Sequence, residues 1–302
     1  MRTVKLAAAL LVAFLITLPW IVSAPRIVTA FTADDRITVT AAENFYGDVA
    51  RQIGGDRISV DSILSNPDQD PHLFETSPSV VREIASALVI IYNGAGYDPW
   101  MDRLLTATPK PGRTVIVAAD LMDKKAGDNP HLWYDPPTMP AVAGKLAAAF
   151  TAIDPAHAGA YAARLKTFVA SLEPLNREIA AIRAKYGGVS VTASEPVIGY
   201  MAAALNLTML DQRFQLAVMN DTEPSAGDVA AFERDLKSHA ARVMFYNAQA
   251  SNKIVQHLID LAHASNVPVV GVAETCPPDL SYQHWMLGTL DKTALALAGP
   301  SS

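Results

Sequence analysis

The chain has 302 residues, 50% apolar and 18% charged, with 20 Pro and 16 Gly. This globular composition excludes collagen-like, low-complexity and disordered classes, and the length suits two domains or one large one. A formal charge of -6 argues against a nucleic-acid partner. The lone Cys276 excludes an internal disulfide, a cysteine-based structural zinc site and an iron–sulfur cluster.

In chain order, Arg2 and Lys5 precede an almost wholly apolar run from Leu6 to Val22, and Val28-Thr29-Ala30 places small residues where a signal peptidase reads. This is the pattern of a secretory signal peptide over residues 1–30, with cleavage after Ala30, or alternatively after Ala24 or Ala33. The competing reading is a membrane anchor, but the run sits at the short limit for a span and Pro19 interrupts it. No cysteine lies near the cleavage region, so lipid attachment is not expected there. Cleavage removes Arg2, Lys5 and Arg26 and no acid, taking the formal charge from -6 to -9. The product is expected to be an exported, soluble protein with no membrane insertion.

Short β-rich runs follow at Ile37–Thr40, Ile58–Leu64, Leu88–Tyr92 and Thr114–Val117, with helical stretches between them. Ser77-Pro78 pairs a cap with a first-turn proline, and Thr138–Thr151 is Ala-rich with helical spacing. Such alternation predicts a mostly parallel α/β sheet. From Asp154-Pro155 an apolar stripe (Tyr161, Leu165, Phe168, Val169, Leu172, Leu175, Ile179, Ile182) predicts one long helix ending at Gly187-Gly188, kinked at Pro174. Strands are then expected at Val189–Thr192, Val243–Tyr246 and Val267–Val272. Helices are expected near Val197–Leu205, Ser225–Lys237, Ser251–Ala264 and Tyr282–Ala298. The fold class is therefore α/β: two lobes with mostly parallel sheets, joined by one long backbone helix. The division is a signal peptide at 1–30, an N-terminal lobe at 34–152, a linking helix at 153–186 and a C-terminal lobe at 187–302. No internal repeat is visible residue by residue.

The chemistry-bearing residues cluster in position. His72, in Asp70-Pro71-His72-Leu73, and His131, in Asn129-Pro130-His131-Leu132, occupy loops after predicted strands; Glu195 and Glu274 each follow a strand of the second half. In open α/β sheets, ligands bind beyond the carboxyl ends of strands. If the halves face each other, two imidazoles and two carboxylates converge, a donor set for a first-row divalent metal. Each residue alone has an ordinary reading as a solvated loop side chain or, for Glu195 before Pro196, a helix-start acid. His284 and Cys276 are weaker candidates, more readily explained by packing and burial.

The pattern resembles the metal-binding solute-binding proteins of bacterial ABC importers for zinc and manganese. The resemblance runs from about Ile37 to Ala298. It rests on Asp70-Pro71-His72 with Glu75, Asn129-Pro130-His131-Leu132-Trp133 with Asp135-Pro136, Ser194-Glu195-Pro196-Val197-Ile198-Gly199-Tyr200, Glu223-Pro224-Ser225, and Val267-Pro268-Val269-Val270 leading to Glu274. It implies two α/β lobes on a rigid helix and a divalent ion, Mn or Zn, held as cargo by His72, His131, Glu195 and Glu274. It also implies a periplasmic monomer that delivers the ion to a membrane permease driven by an ATPase, with no catalysis. Some members of the family are assigned an adhesin role. Zinc-type members usually carry histidine at the third position and a His-rich loop before the second; here Glu195 stands at the third, as in manganese-type members, and 110–130 contains no histidine. Carboxylates suit Mn²⁺, yet Zn²⁺ exceeds Mn²⁺ in intrinsic affinity at most nitrogen and oxygen sites. Glu274 also stands where aspartate is common.

Two other classes compete. An exported metallohydrolase would need an open metal position and a base such as Glu75, but the sequence has no His-Glu-x-x-His and no nucleophile elbow. A haem or siderophore binder on a similar two-lobe fold is disfavoured by the paired Pro-His loops.

Overall fold

β-Rich runs separated by helices give two parallel sheets. The computed structural model describes residues 36–299, apart from 69–70, 72–73 and 251. Residues 1–30, where a signal peptide is expected, and the candidate ligand His72 thus lie outside the described residues. The first sheet and its helices comprise β1 (Ile37–Glu43), α1 (Asn44–Gly54), β2 (Ile58–Leu64), α2 (Pro78–Ser86), β3 (Val89–Tyr92), α3 (Pro99–Ala107), β4 (Thr114–Val117), α4 (Ala118–Leu121) and α5 (Thr138–Ile153). The strands pair in the order β2-β1-β3-β4, all parallel. Parallel strands are buried on both faces, and β3 is apolar and buried throughout (Val89, Ile90, Ile91, Tyr92). Ser77 caps α2 by accepting from the Val80 N–H, with Pro78 in the first turn, as its sequence signature requires. At Gly47, α1 lies so close to the sheet that an added Cβ would sit 2.2 Å from Ser62 Oγ.

The connecting segment is interrupted beside Pro174, where the sequence predicts a kink. A 3₁₀ turn at Pro155–His157 leads into α6 (Ala158–Ser171), and α7 (Glu173–Tyr186) follows a break at Leu172. Pro174 has no N–H to donate to the carbonyl four residues back, so the ladder stops there and the Leu172 N–H turns to Val169 and Ala170. The proline then occupies the first turn of α7, where a missing N–H is tolerated.

The second half contains β5 (Ser190–Ala193), α8 (Gly199–Ala204), β6 (Thr208–Met209), α9 (Gln212–Met219), α10 (Ala226–Lys237), β7 (Met244–Asn247), α11 (Lys253–Ala264), β8 (Val269–Val272) and α12 (Tyr282–Ala298). Its strands order as β6-β5-β7-β8, again all parallel. Both sheets therefore share one topology, with the second strand outside the first and the third and fourth on its other side. β6 and α9 are additions to the sequence-based expectation.

One apolar cluster draws buried side chains from both halves, including Phe45, Ile91, Trp133 and Phe150 with Val191, Phe245, Trp285 and Leu297. A smaller one lies under α9, α10 and α11 around Phe214, Phe232 and Leu258. Each such large apolar side chain contributes about 1.5–3 kcal/mol on burial. Hydrogen bonds stitch the halves together. Asn44 donates from Nδ2 to the Cys276 carbonyl at 2.6 Å and accepts the Cys276 N–H at 3.0 Å. The Tyr282 hydroxyl donates to the Trp133 carbonyl at 2.8 Å, and the Tyr134 hydroxyl to the Ala273 carbonyl at 2.9 Å.

Candidate metal centre

His131 lies beyond the end of β4 and α4, on the loop that a 3₁₀ turn at Leu132–Tyr134 anchors with three buried side chains. Its side chain has no exposure to solvent. Nδ1 sits 2.6 Å from Asn129 Oδ1, and the Asn129 amide is oriented by its Nδ2 donating to the Pro196 carbonyl at 2.8 Å. The oxygen can only accept, so the proton is assigned to Nδ1, and in the neutral ring the lone pair then lies on Nε2. That Nε2 is buried with no hydrogen-bond partner among the described residues, and Glu274 Oε2 lies 3.6 Å away. A buried nitrogen without a donor costs free energy that an ion would recover. The aromatic edges of Trp133, at a centroid distance of 5.3 Å, and Tyr97, at 6.2 Å, wall the imidazole.

The two carboxylates come from the second sheet. Glu195 follows β5 and Glu274 follows β8, both buried. Between those strands runs β7, and at its carboxyl end Asn247 donates from Nδ2 to Glu195 Oε2 at 3.3 Å and to Glu274 Oε1 at 2.5 Å. The Asn247 amide is fixed in turn, because its Oδ1 accepts the Gln249 N–H at 3.0 Å. Gln249 Oε1 accepts the backbone N–H groups of Glu274 and Thr275 at 2.6 and 3.0 Å, holding the loop that carries the carboxylate.

Three of the four predicted ligands are thus brought into one buried network, with His131 and Glu274 adjacent and Glu195 joined through Asn247. Among the described residues, no three His, Cys, Asp or Glu side chains already form a metal-holding group, and His72 is not described. The donor set nonetheless fits a divalent ion: a buried imidazole nitrogen lies 3.6 Å from a buried carboxylate oxygen.

The weaker candidates lie elsewhere. His284 Nδ1 pairs with Ser281 Oγ at 2.9 Å at the start of α12, on the surface. The Cys276 sulfur rests 3.5 Å from the carbonyls of Pro277 and Leu280, and burial pushes its thiol up to about 12, so it stays protonated.

A second acidic group stands behind the site. Glu43, the last residue of β1, is buried near Asp98, which accepts the Asn93 and Gly94 N–H groups at 2.7 and 2.8 Å. Burial first, and the Asp98 charge second, push Glu43 well above the usual carboxylate range. Burial also raises Asp98, to about 6, although the hydrogen bonds it receives oppose the shift. The Tyr97 phenol is pushed well up by burial and then by the Glu274 charge, so it remains a proton donor beside that carboxylate. Asn129, Asn247, Glu43 and Tyr97 were not singled out by the sequence. Asn129 was the nearest to being found, because it begins the Asn-Pro-His-Leu-Trp motif.

Two parallel sheets with buried imidazole and carboxylates beyond their strand ends define a two-lobed ligand-binding protein. The chain belongs to the family described as ZnuA, zinc-uptake complex component A periplasmic, whose model matches residues 39–296. Among its relatives, the iron ABC transporter substrate-binding lipoprotein MtsA of Streptococcus pyogenes serotype M1 is 23% identical over 294 residues, covering 89% of this chain and 92% of MtsA. Solved structures share the fold. The periplasmic zinc-binding protein TroA of Treponema pallidum superposes with a TM-score of 0.70 at 17% identity, covering 87% of this chain and 99% of TroA. A Mn-bound point mutant of a periplasmic metal-binding protein from Candidatus Liberibacter asiaticus does so with 0.69 at 20% identity, covering 86% and 98%.

Proposed function

We propose that this protein is an exported substrate-binding component of an ABC importer. It captures a divalent transition-metal ion, manganese or zinc, and delivers it to a membrane permease with its ATPase. The ion is cargo rather than a catalytic cofactor, and the protein acts as a binding protein and not as an enzyme. The carrying observation is the buried Nε2 of His131, without a hydrogen-bond partner among the described residues and 3.6 Å from Glu274 Oε2, with Glu195 in the same network. Glu195, Glu274, His131 and His72 are the ligands in this reading, His72 on the strength of its Asp-Pro-His motif. The family match and relatives named for metal binding and ABC transport support it.

In the same reading, residues 1–30 direct export and are removed. Residues 34–152 and 187–302 act as lobes on the connector 153–186, and the mature chain works as a periplasmic monomer. MtsA is named a lipoprotein; this sequence has its one cysteine at position 276, far from the expected cleavage point. Among the described residues, no helix is long and apolar enough to cross a membrane.

The test is calorimetric titration of metal-stripped mature protein with Mn²⁺ and with Zn²⁺ at neutral pH. One tight site per chain is expected. Absence of tight binding for both ions would refute the assignment.

A further inference from the structure

The chain leaves β8 at Val272 and enters α12 only at Tyr282, so Glu274 sits on irregular backbone with no strand or helix to hold it. Such backbone is ordered by whatever side chains take its N–H and C=O groups. Five of these groups within 273–276 are taken by side chains. Gln249, from the same half, accepts the Glu274 and Thr275 N–H groups. The other three are held from the first half. The Tyr134 hydroxyl donates to the Ala273 carbonyl at 2.9 Å, and Asn44 both accepts the Cys276 N–H at 3.0 Å and donates to the Cys276 carbonyl at 2.6 Å. These two contacts fix the orientation of the Asn44 amide, since a flip would set oxygen against oxygen. Both anchors are firmly seated. Asn44 opens α1, whose Phe45, Tyr46 and Val49 are fully buried, and Tyr134 closes the 3₁₀ turn that follows His131. The backbone on either side of Glu274 is therefore tied to the half that carries His131, and Glu274 Oε2 lies 3.6 Å from His131 Nε2.

We propose that Asn44 and Tyr134 are positioning residues for metal binding, which hold the Glu274 loop from the opposite half and keep its carboxylate beside His131. The inference rests on the metal-binding reading above, with Glu274 as a ligand. Both residues act through the loop: Asn44 uses both ends of its amide on Cys276, and Tyr134 its hydroxyl on Ala273. Pinning the residues before and after Glu274 limits the φ and ψ that aim its side chain. Without the pins, the loop must be ordered when the ion binds, and that ordering cost lowers affinity. Gln249 holds 274 and 275 from the second half, so the two halves grip adjoining stretches of one loop.

The experiment compares metal-stripped wild type, Asn44→Ala, Tyr134→Phe and Gln52→Ala. Gln52→Ala is the control: Gln52 lies farther along the same helix and exchanges hydrogen bonds with Gln283 of α12, away from the Glu274 loop. Each protein is titrated with Zn²⁺ against a competing chelator, and the visible spectrum of its Co²⁺-loaded form, which reports ligand geometry, is recorded. Asn44→Ala and Tyr134→Phe should each weaken Zn²⁺ binding about tenfold or more and alter the Co²⁺ bands. Gln52→Ala, which also loses bonds between the halves, should keep wild-type bands and an affinity within twofold. Should Asn44→Ala fail to melt cooperatively, Tyr134→Phe, which removes a single oxygen, carries the comparison. Wild-type affinity and bands in one loop variant would remove that residue from the role, and in both would overturn the proposal. An equal loss in Gln52→Ala would also overturn it, because the effect would then be general loosening. Wild-type protein that binds neither Zn²⁺ nor Co²⁺ would instead remove the metal-binding reading, and this proposal with it.

Discussion

Asn129 Oδ1 lies 2.6 Å from His131 Nδ1, and the same asparagine side chain donates across to the Pro196 carbonyl of the other half. One amide thus fixes a ring tautomer in the first half by reference to the backbone of the second. Partners of this kind orient a metal-binding imidazole and raise its basicity. Asn129→Ala should weaken Zn²⁺ or Mn²⁺ binding by about 10–100-fold while leaving a folded protein. Competitive titration of the variant against wild type reads this directly, and affinity within twofold of wild type would contradict it.

Metal removal should lower thermal stability. A ligand at 1,000 times its Kd stabilises the native state by about 4 kcal/mol. Wild-type protein stripped with a chelator should therefore melt several degrees lower and recover when Zn²⁺ or Mn²⁺ is restored. His131→Ala should lose most of that metal-induced shift. Scanning calorimetry with and without metal checks it; an undiminished shift in the variant would exclude His131 as a ligand.

Glu43 makes a pH prediction of definite sign. Its folded pKa is raised, by burial and then by Asp98. Its contribution to stability is therefore fully present below the ordinary carboxylate pKa, and is lost as pH rises from there toward the folded value. Gln has no proton to lose. Glu43→Gln should match wild type near pH 4 and become more stable by about 1–2 kcal/mol toward pH 8. Urea unfolding at pH 4, 6 and 8 measures the difference; a constant offset across that range would be the wrong answer.

Asp154 runs the opposite way. Burial at the start of the connector raises its pKa, but the hydrogen bonds from His157 and Tyr161 and the charges of His157 and Arg57 outweigh it, for a net lowering. The partners lie at 2.9 Å (His157 Nδ1), 3.0 Å (Tyr161 hydroxyl) and 3.4 Å (Arg57). A depressed folded pKa contributes stability above the unfolded pKa that disappears as pH falls through the folded one. Asp154→Asn should thus cost about 1–3 kcal/mol at pH 7, with the gap closing on acidification below pH 4. Denaturant melts at pH 7 and pH 3 would show it.

The parallel strands were legible because each is a short apolar run flanked by turn chemistry. The helix starts at Ser77 and Ser225 were legible because their caps are local. The placement of His131, Glu195 and Glu274 beyond strand ends followed from that alternation. β6 was missed because a two-residue strand has no period. The helix α9 was missed because it opens on Asp211 in the left-handed region, φ 54°, with no side-chain cap. Asn247 was invisible for a different reason. Nothing in Tyr246-Asn247-Ala248 marks it, and only the order of β5, β7 and β8 puts its amide between two acids. The shared strand order of the two sheets leaves no residue-level repeat, because parallel strands constrain burial rather than identity.

The final helix reaches back to the beginning of the chain. Besides the Tyr282 hydroxyl on Trp133, the Tyr282 N–H donates to Asp48, and Gln283 exchanges amide hydrogen bonds with Gln52. A chain made from its amino terminus presents α1 first and α12 last. The Asp48 and Gln52 face of α1 is therefore uncovered until the last 17-residue helix has been made. Truncation before Tyr282 would leave that face without its hydrogen-bond partners from the last helix.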